Sequence, residues 1–189
     1  MTTNPDRRPV VLVLASGRGE RFRASGGAVH KLQALLAGGR VIDRTLESVR
    51  ASGLPFHVED AGHPGMGDSI AASVRATANA PGWLVLPADL PLVLPATLRA
   101  VAQALTEDGA AQPVYRGERG HPVGFGAASA AALQALAGEQ GAAPVLKTLR
   151  ARGAVRELTV DDAGVVTDID TLDDLARAEA LWHARHFGD

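Results

Sequence analysis

The chain has 189 residues, room for one compact domain rather than two with separate cores, and its 46% hydrophobic and 21% charged residues are the balance of a globular protein. With 19 Lys and Arg against 21 Asp and Glu the formal charge is −2, so no net cationic field exists to gather nucleic acid or acidic lipid, and phosphate binding must be local. Cys is absent, which removes disulfides, thiolate metal sites, iron–sulfur clusters and cysteine nucleophiles, and suits a reducing compartment.

Arg7, Arg8 and the apolar residues 10–15 share the outline of a secretory signal. Six apolar residues, however, fall short of the ~7 to 15 of a signal core, and Gly17-Arg18-Gly19 follows at once, so a buried first strand over 10–15 is expected. Nothing approaches the ~18 to 20 apolar residues of a membrane helix, and a cytoplasmic location is expected. Further along, short apolar runs alternate with longer amphipathic ones, the pattern of βα units around a largely parallel sheet. Val41, Ile42, Leu46 and Val49 predict a helix over 41–52 stopped at Gly53, before a strand over 56–59. Asp68 or Ser69 is expected to cap a helix carrying Ile70 and Val74. Residues 83–87 (WLVLP) read as another buried strand, ending directly in Ala88-Asp89-Leu90-Pro91. Pro95 suits the first turn of a helix through 105, and short strands over 113–115 and 122–125 flank the turn 117–120. Ala-rich helices over 127–137 and 143–152 precede a strand over 155–160, a turn over 161–164 and an extended segment over 165–169. Thr171 is expected to cap the last helix, with Asp173 and Asp174 in its first turn. The first few residues and 186–189 read as loose ends.

Ligands of an open α/β sheet sit beyond the carboxyl ends of its strands, which directs attention to three segments. Leu14, Ala15, Ser16, Gly17, Arg18 and Gly19 leave the first strand as small residues that admit a ligand close to backbone N–H groups, and Arg18, Arg21 and Lys31 can neutralise a triphosphate there. A flexible loop with solvated arginines is the bland alternative. Two better-known glycine motifs fail. Phe22 occupies the third glycine of G-x-G-x-x-G, and His30 precedes Lys31 where the Walker pattern needs Gly; Asp43 alone would suit a dinucleotide site. Asp89, directly after a strand and between prolines, is placed to bind Mg2+ bridging nucleotide phosphates, or else simply forms the turn. Of Asp168 and Asp170, one is expected to face the upper edge of the sheet, completing a metal site with Asp89, and the other to support a loop or cap.

LASGRGERF with Lys31, GMGDS (65–69), PADLP (87–91), RGHPVGF (119–125) and DIDTLDDL (168–175), in this order and over essentially the whole chain, resemble the MobA-like nucleotidyltransferase family, and within it the molybdenum-cofactor cytidylyltransferases. The resemblance implies one domain over 1–189 with its core at about 9–186. It also implies a Rossmann-like three-layer α/β/α fold with a mostly parallel sheet, of the nucleotide-diphospho-sugar transferase type. The implied reaction transfers a nucleoside monophosphate from an NTP to the terminal phosphate of molybdopterin cofactor, releasing pyrophosphate. By the family pattern residues 14–19 lie against base and phosphates, and Arg21 and Lys31 hold the triphosphate. Asp89 and Asp170 bind Mg2+, with Mn2+ as the alternative ion. Gly67 and Ser69 match the base-recognising segment, and His121 the Gly-His-Pro motif beside the acceptor. CTP is favoured over GTP because Ala15-Ser16-Gly17 stands where guanylyl-transferring relatives usually carry a Gly-Gly pair. PADLP departs from the cytidylyl branch's usual GDQP, and the loop before Lys31 is longer. GTP, or a sugar or polyol phosphate acceptor, remains the alternative within the class, and a catalytically weak accessory module that only binds nucleotide is the alternative outside it. Expected partners are small molecules, with neither nucleic acid nor membrane, and a recipient molybdoenzyme or its chaperone.

Overall fold

The computed structural model describes residues 8–188; residues 1–7 and 189, which include part of the expected domain and loose ends, lie outside it. Val10–Leu14 forms β1 and Phe56–Glu59 β4, with Gly82–Pro87 as β5. Between β1 and β4 come a short helix α1 (Glu20–Ala24), a hairpin of β2 (Leu35–Leu36) and β3 (Gly39–Arg40), and helix α2 (Val41–Ser52). Helix α3 (Met66–Ala76) precedes β5 and α4 (Pro95–Ala104) follows it. The second half contains β6 (Ala110–Tyr115), β7 (Glu118–Arg119), β8 (Val123–Gly126), α5 (Ala130–Gln134), α6 (Ala143–Ala151), β9 (Val155–Thr159) and α7 (Leu172–Phe187).

The main sheet has seven strands in the order β4-β1-β5-β8-β6-β7, with β9 also paired to β6. Strands β4, β1, β5, β6 and β9 run one way and β8 and β7 the other, so the sheet is mixed but mostly parallel. Its period-2 alternation buries both faces. Val11, Val13, Leu84 and Leu86 pack on one side with Val41 and Val49 of α2, Leu98 and Val101 of α4, and Ala178 of α7. Leu12, Leu14, Trp83 and Val85 pack on the other with Ile70 and Val74 of α3, Leu133 of α5 and Leu149 of α6. These are the three layers expected from the sequence. Among the described residues no helix is long and apolar enough to cross a membrane.

Strands β7 and β8 are two pieces of one edge laid along β6. Val114 pairs with Arg119 and Ala111 with Gly124, so two extra residues are accommodated between them; Gly120 still donates to the Pro113 carbonyl at 2.9 Å, and the chain bulges out at His121-Pro122. The His121 N–H donates to the Val165 carbonyl at 2.9 Å, which fixes the bulge at the carboxyl end of β5.

Several local expectations are corrected. Helix α3 is capped by the extended backbone of Gly65, not by Asp68 or Ser69; the Asp68 carboxylate instead accepts the Gly138 N–H at 2.9 Å, and Ser69 Oγ donates to the Gly65 carbonyl at 3.2 Å. The helix expected over 127–137 reduces to a 3-10 turn and α5, because the chain beyond Gln134 serves as a docking edge: Gly67 N–H donates to Gly138 O at 2.7 Å and Arg75 to Gln134 O at 2.9 Å. The turn expected over 161–164 runs on to Val166 as a 3-10 turn capped by the Asp162 carboxylate, so residues 165 and 166 are not the extended chain expected there. His186 and Phe187, read as loose, continue α7.

Candidate active site

A cavity of about 710 Å3 opens above the carboxyl ends of β1 and β5, bounded by the loop after β1 on one side and the His121 bulge on the other. It lies where the strand-end rule directs a ligand. Leu14, Ser16 and Gly17 line it as the chain leaves β1, followed by Arg18, Gly19 and Arg21. Gly19, at φ 63°, makes the left-handed turn that starts α1, a conformation glycine takes without penalty. The loop is held open by His30, whose Nε2 meets the Gly17 carbonyl at 2.7 Å while its Nδ1 accepts the Leu32 N–H at 3.3 Å. With Nδ1 accepting, Nε2 carries the proton and donates. In the sequence His30 registers only as a mismatch to the Walker pattern; its position beside Lys31 is the signal for this staple.

The floor of the cavity is an ion cluster. Lys31 Nζ donates to Asp89 Oδ2 at 2.5 Å and Asp170 Oδ1 at 2.7 Å, and Arg21 pairs with the other oxygen of Asp170. Burial opposes the Lys31 ammonium, but the charges and hydrogen bonds of Asp89 and Asp170 outweigh it and hold its pKa above the ordinary lysine value. Asp89 and Asp170 arrive from distant segments: Asp89 directly follows β5, and Asp170 sits one residue before the capped start of α7. The Ile169 N–H donates to the Asp89 carbonyl at 3.0 Å, which ties the two segments together below the cluster. Among the described residues, the buried Asp89 Oδ1 has no hydrogen-bond partner.

Asp168 and Asp170 both line the cavity, whereas one was expected to turn away. Residues two apart on extended chain share a side, and it is the intervening Ile169 that enters the core, fully buried. Partial withdrawal from water raises the Asp168 pKa; its own backbone amide opposes this, and the charges of Asp89, Asp170 and Asp174 add to it.

Ser69 and Ser16 meet at the opposite end, Oγ to Oγ at 2.8 Å. His63 also lines that end and lies 3.2 Å from Glu59, a contact with no distinctive sequence signature. His121 lines the cavity from the bulge. Burial is the main cause that pulls its pKa down, with the Val85 backbone and the charges of Asp89 and Asp168 pulling the other way, and its buried Nδ1 has no partner among the described residues. Two sequence candidates are not brought to the wall. The Ala15 N–H is engaged by the Glu59 carbonyl at 2.8 Å, and Gly67 is pressed against Ala137, whose backbone leaves no room for a Cβ.

Residues 47–156 match the family model of the MobA-like NTP transferase domain. The chain belongs to this family. As a MobA-like protein it is a nucleotidyltransferase, and its fold recurs in solved structures. Rv0371c from Mycobacterium tuberculosis H37Rv is similar at 24% identity and a TM-score of 0.75, the match covering 95% of this chain and all of that one. A nucleotidyl transferase from Methanothermobacter (Mth528) matches at 21% identity and 0.79, over 95% of this chain and 99% of that one. The molybdopterin-guanine dinucleotide biosynthesis protein A of Archaeoglobus fulgidus matches at 20% identity and 0.61, over 92% and 98%. Rv0371c has also been solved in complex with manganese. No curated protein matches the MobA-like chain in sequence.

Proposed function

We propose that the protein transfers a cytidylyl group from CTP to the terminal phosphate of a molybdopterin-type cofactor and releases pyrophosphate. The observation that carries this reading is the cation and carboxylate cluster of Lys31, Asp89 and Asp170 on the cavity floor, flanked by two unlike ends. A phosphate oxygen of the acceptor attacks the α-phosphorus of CTP while the bond from that phosphorus to the oxygen bridging to the β-phosphate breaks; both electrons stay with pyrophosphate. Such transfer needs positioning and charge neutralisation rather than a protein nucleophile.

Asp89 and Asp170 fit a divalent ion. The buried Asp89 Oδ1, unpartnered among the described residues, is an oxygen with unused lone pairs, and oxygen donors suit Mg2+ or Mn2+. Mg2+ is usually held by one or two carboxylates together with substrate phosphates, a role open to Asp89 and Asp170. When bound, the ion supplies charge neutralisation on those phosphates. Arg18 and Arg21, exposed at the rim, are assigned to the outer phosphates and Lys31 to the triphosphate. Ser16 and Ser69 are assigned to the base. His121, with an Nδ1 that has no partner among the described residues and accepts a hydrogen bond while the ring is neutral, is assigned to the acceptor.

CTP is favoured over GTP by Ala15-Ser16-Gly17 and by the GMGDS and RGHPV segments, against the guanine named for the Archaeoglobus relative. The complete set of Lys31, Asp89 and Asp170 favours an enzyme over an accessory binding module. Incubating the protein with CTP, GTP, ATP or UTP, Mg2+ or Mn2+ and molybdopterin, with pyrophosphate and product both measured, is expected to give cytidylylated cofactor roughly tenfold or more faster than any other product, the scale of one well-placed recognition contact. Faster guanylyl transfer overturns the choice of base, and binding without turnover of any NTP leaves the accessory reading.

A further inference from the structure

The ammonium of Lys31 lies between the two carboxylates, donating to Asp89 Oδ2 at 2.5 Å and to Asp170 Oδ1 at 2.7 Å. Of the four carboxylate oxygens, Lys31 takes Asp89 Oδ2 and Asp170 Oδ1 and Arg21 takes Asp170 Oδ2, which leaves only Asp89 Oδ1. A divalent ion held by both carboxylates would have to take at least one oxygen that a side-chain cation now holds. Lysine and metal are therefore competitors for one carboxylate pair. Resting on the metal assignment made above, we infer that Lys31 is an internal counter-cation that keeps Asp89 and Asp170 closed to a divalent ion until a triphosphate draws the lysine away, so that nucleotide binding opens the metal site.

The backbone around Lys31 is fixed, so its ammonium can leave the carboxylates only through its own side chain. Leu32 is buried at 5% exposure, His30 staples the preceding loop to Gly17, and Lys31 opens a 3-10 turn whose Ala34 N–H returns to its carbonyl at 3.2 Å. A four-carbon stem then swings the ammonium across the cavity by rotamer change alone. The reason for it to stay put without substrate is electrostatic: two carboxylates only 14% and 20% exposed repel one another unless a cation lies between them. The reason for it to leave is the arrival of a more highly charged anion in the same cavity. The triphosphate attracts Lys31 and Arg21, both of which now hold Asp170, and brings the phosphate oxygens that a metal on two carboxylates still lacks. Each departing cation releases a carboxylate oxygen as each phosphate oxygen arrives. Lys31 thereby contributes twice with opposite sign, against metal before the nucleotide binds and toward the triphosphate afterwards.

The test is metal binding in the absence of nucleotide. Mn2+ affinity, read from loss of the free-ion EPR signal, is expected to be roughly tenfold or more tighter for Lys31→Met than for wild type, as removal of a buried charge competitor requires, while Lys31→Arg keeps the weak wild-type affinity. A residue that only supported the site would lower metal affinity when replaced; unchanged or weaker Mn2+ binding by folded Lys31→Met overturns the inference. Should Lys31→Met fail to fold by circular dichroism, the wild type decides. Lys31 and Lys147 are the two lysines of the sequence, so 15N side-chain NMR resolves the Lys31 ammonium directly. Its signal is expected to move when α,β-methylene-CTP is added without metal, and an unmoved signal with bound analogue overturns the proposal. Failure of the wild type to bind that analogue even with Mg2+ would instead overturn the nucleotidyl-transfer reading, which the nucleotide-free measurement on Lys31→Met does not depend on.

Discussion

His121 is a residue whose environment is set by one local irregularity. The bulge between β7 and β8 lifts it out of the ladder, and its surroundings take its imidazole largely out of water at the cavity wall. Burial depresses the folded-state pKa below the ordinary value of about 6.5, so between the two values the unfolded chain binds more protons than the folded one. Folding stability therefore rises with pH through that window, is complete above the unfolded value, and is lost as pH falls through the folded one. Asp168 has the opposite sign: its raised pKa means the folded protein holds the extra proton, and its effect falls near the carboxylate range, well below that of His121. Melting temperature measured at pH 5.5 and 7.5 is expected to rise more for wild type than for His121→Gln, with about 2 to 4 °C of difference for each kcal/mol of linkage in a domain of this size. Parallel pH profiles of the two proteins would show that His121 carries no linked proton.

At the scale of elements, the start of α7 joins stability to the site. Thr171 Oγ1 accepts the Asp174 N–H at 3.2 Å, and Asp174 Oδ2 returns to the Thr171 N–H at 2.7 Å, a reciprocal capping box. The same carboxylate oxygen accepts the Asp170 N–H at 3.2 Å, so the cap also fixes the backbone of a proposed metal ligand. Thr171→Ala is expected to cost about 1 kcal/mol, the ordinary worth of an N-cap. That corresponds to a fall in melting temperature of about 2 to 4 °C. Asp174→Ala should lose similar stability and, beyond it, weaken nucleotide binding measured by calorimetry, because Asp170 is released. Equal nucleotide affinity in the two variants would separate the cap from the site. This cap was legible in the sequence, as were β1, α2, β4 and the Asp89 turn, because each is written locally: a run of apolar residues, a Gly stop, a Thr with acids three residues on. What was not legible depends on partners distant in sequence. The Asp68 and Ser69 side chains look like caps, yet Gly138, seventy residues away, takes the Asp68 carboxylate and leaves Gly65 to start the helix. The two-residue strands β2 and β3 carry no periodicity to read. The motif residues were found, but their present mutual engagement, a lysine between two aspartates 58 and 139 positions away, is a property of the fold alone.

For the molecule as a whole, the faint negative charge matters less than its distribution. A chain of net charge −2 has no long-range attraction for a triphosphate, so the proposed capture of one would rest on Arg18, Arg21 and Lys31 at the strand-end cavity. That cavity is built from both ends of the chain: β1 and its loop supply one wall, the bulge another, and the segment before α7 the floor. A ligand there binds only the folded form and stabilises the whole domain by mass action. At about one hundred times its Kd, the gain is about 2.7 kcal/mol. In a domain of this size that amounts to a rise of roughly 5 to 11 °C in melting temperature. The competition at Lys31 adds a pattern to this rise. Mg2+ alone should shift the melting temperature little, because the carboxylate pair is already neutralised by lysine; α,β-methylene-CTP alone should shift it partly; and the two together should exceed the sum of the separate shifts, since each removes an obstacle to the other. Differential scanning fluorimetry over the four conditions distinguishes this from independent sites, for which the stabilisation energies simply add.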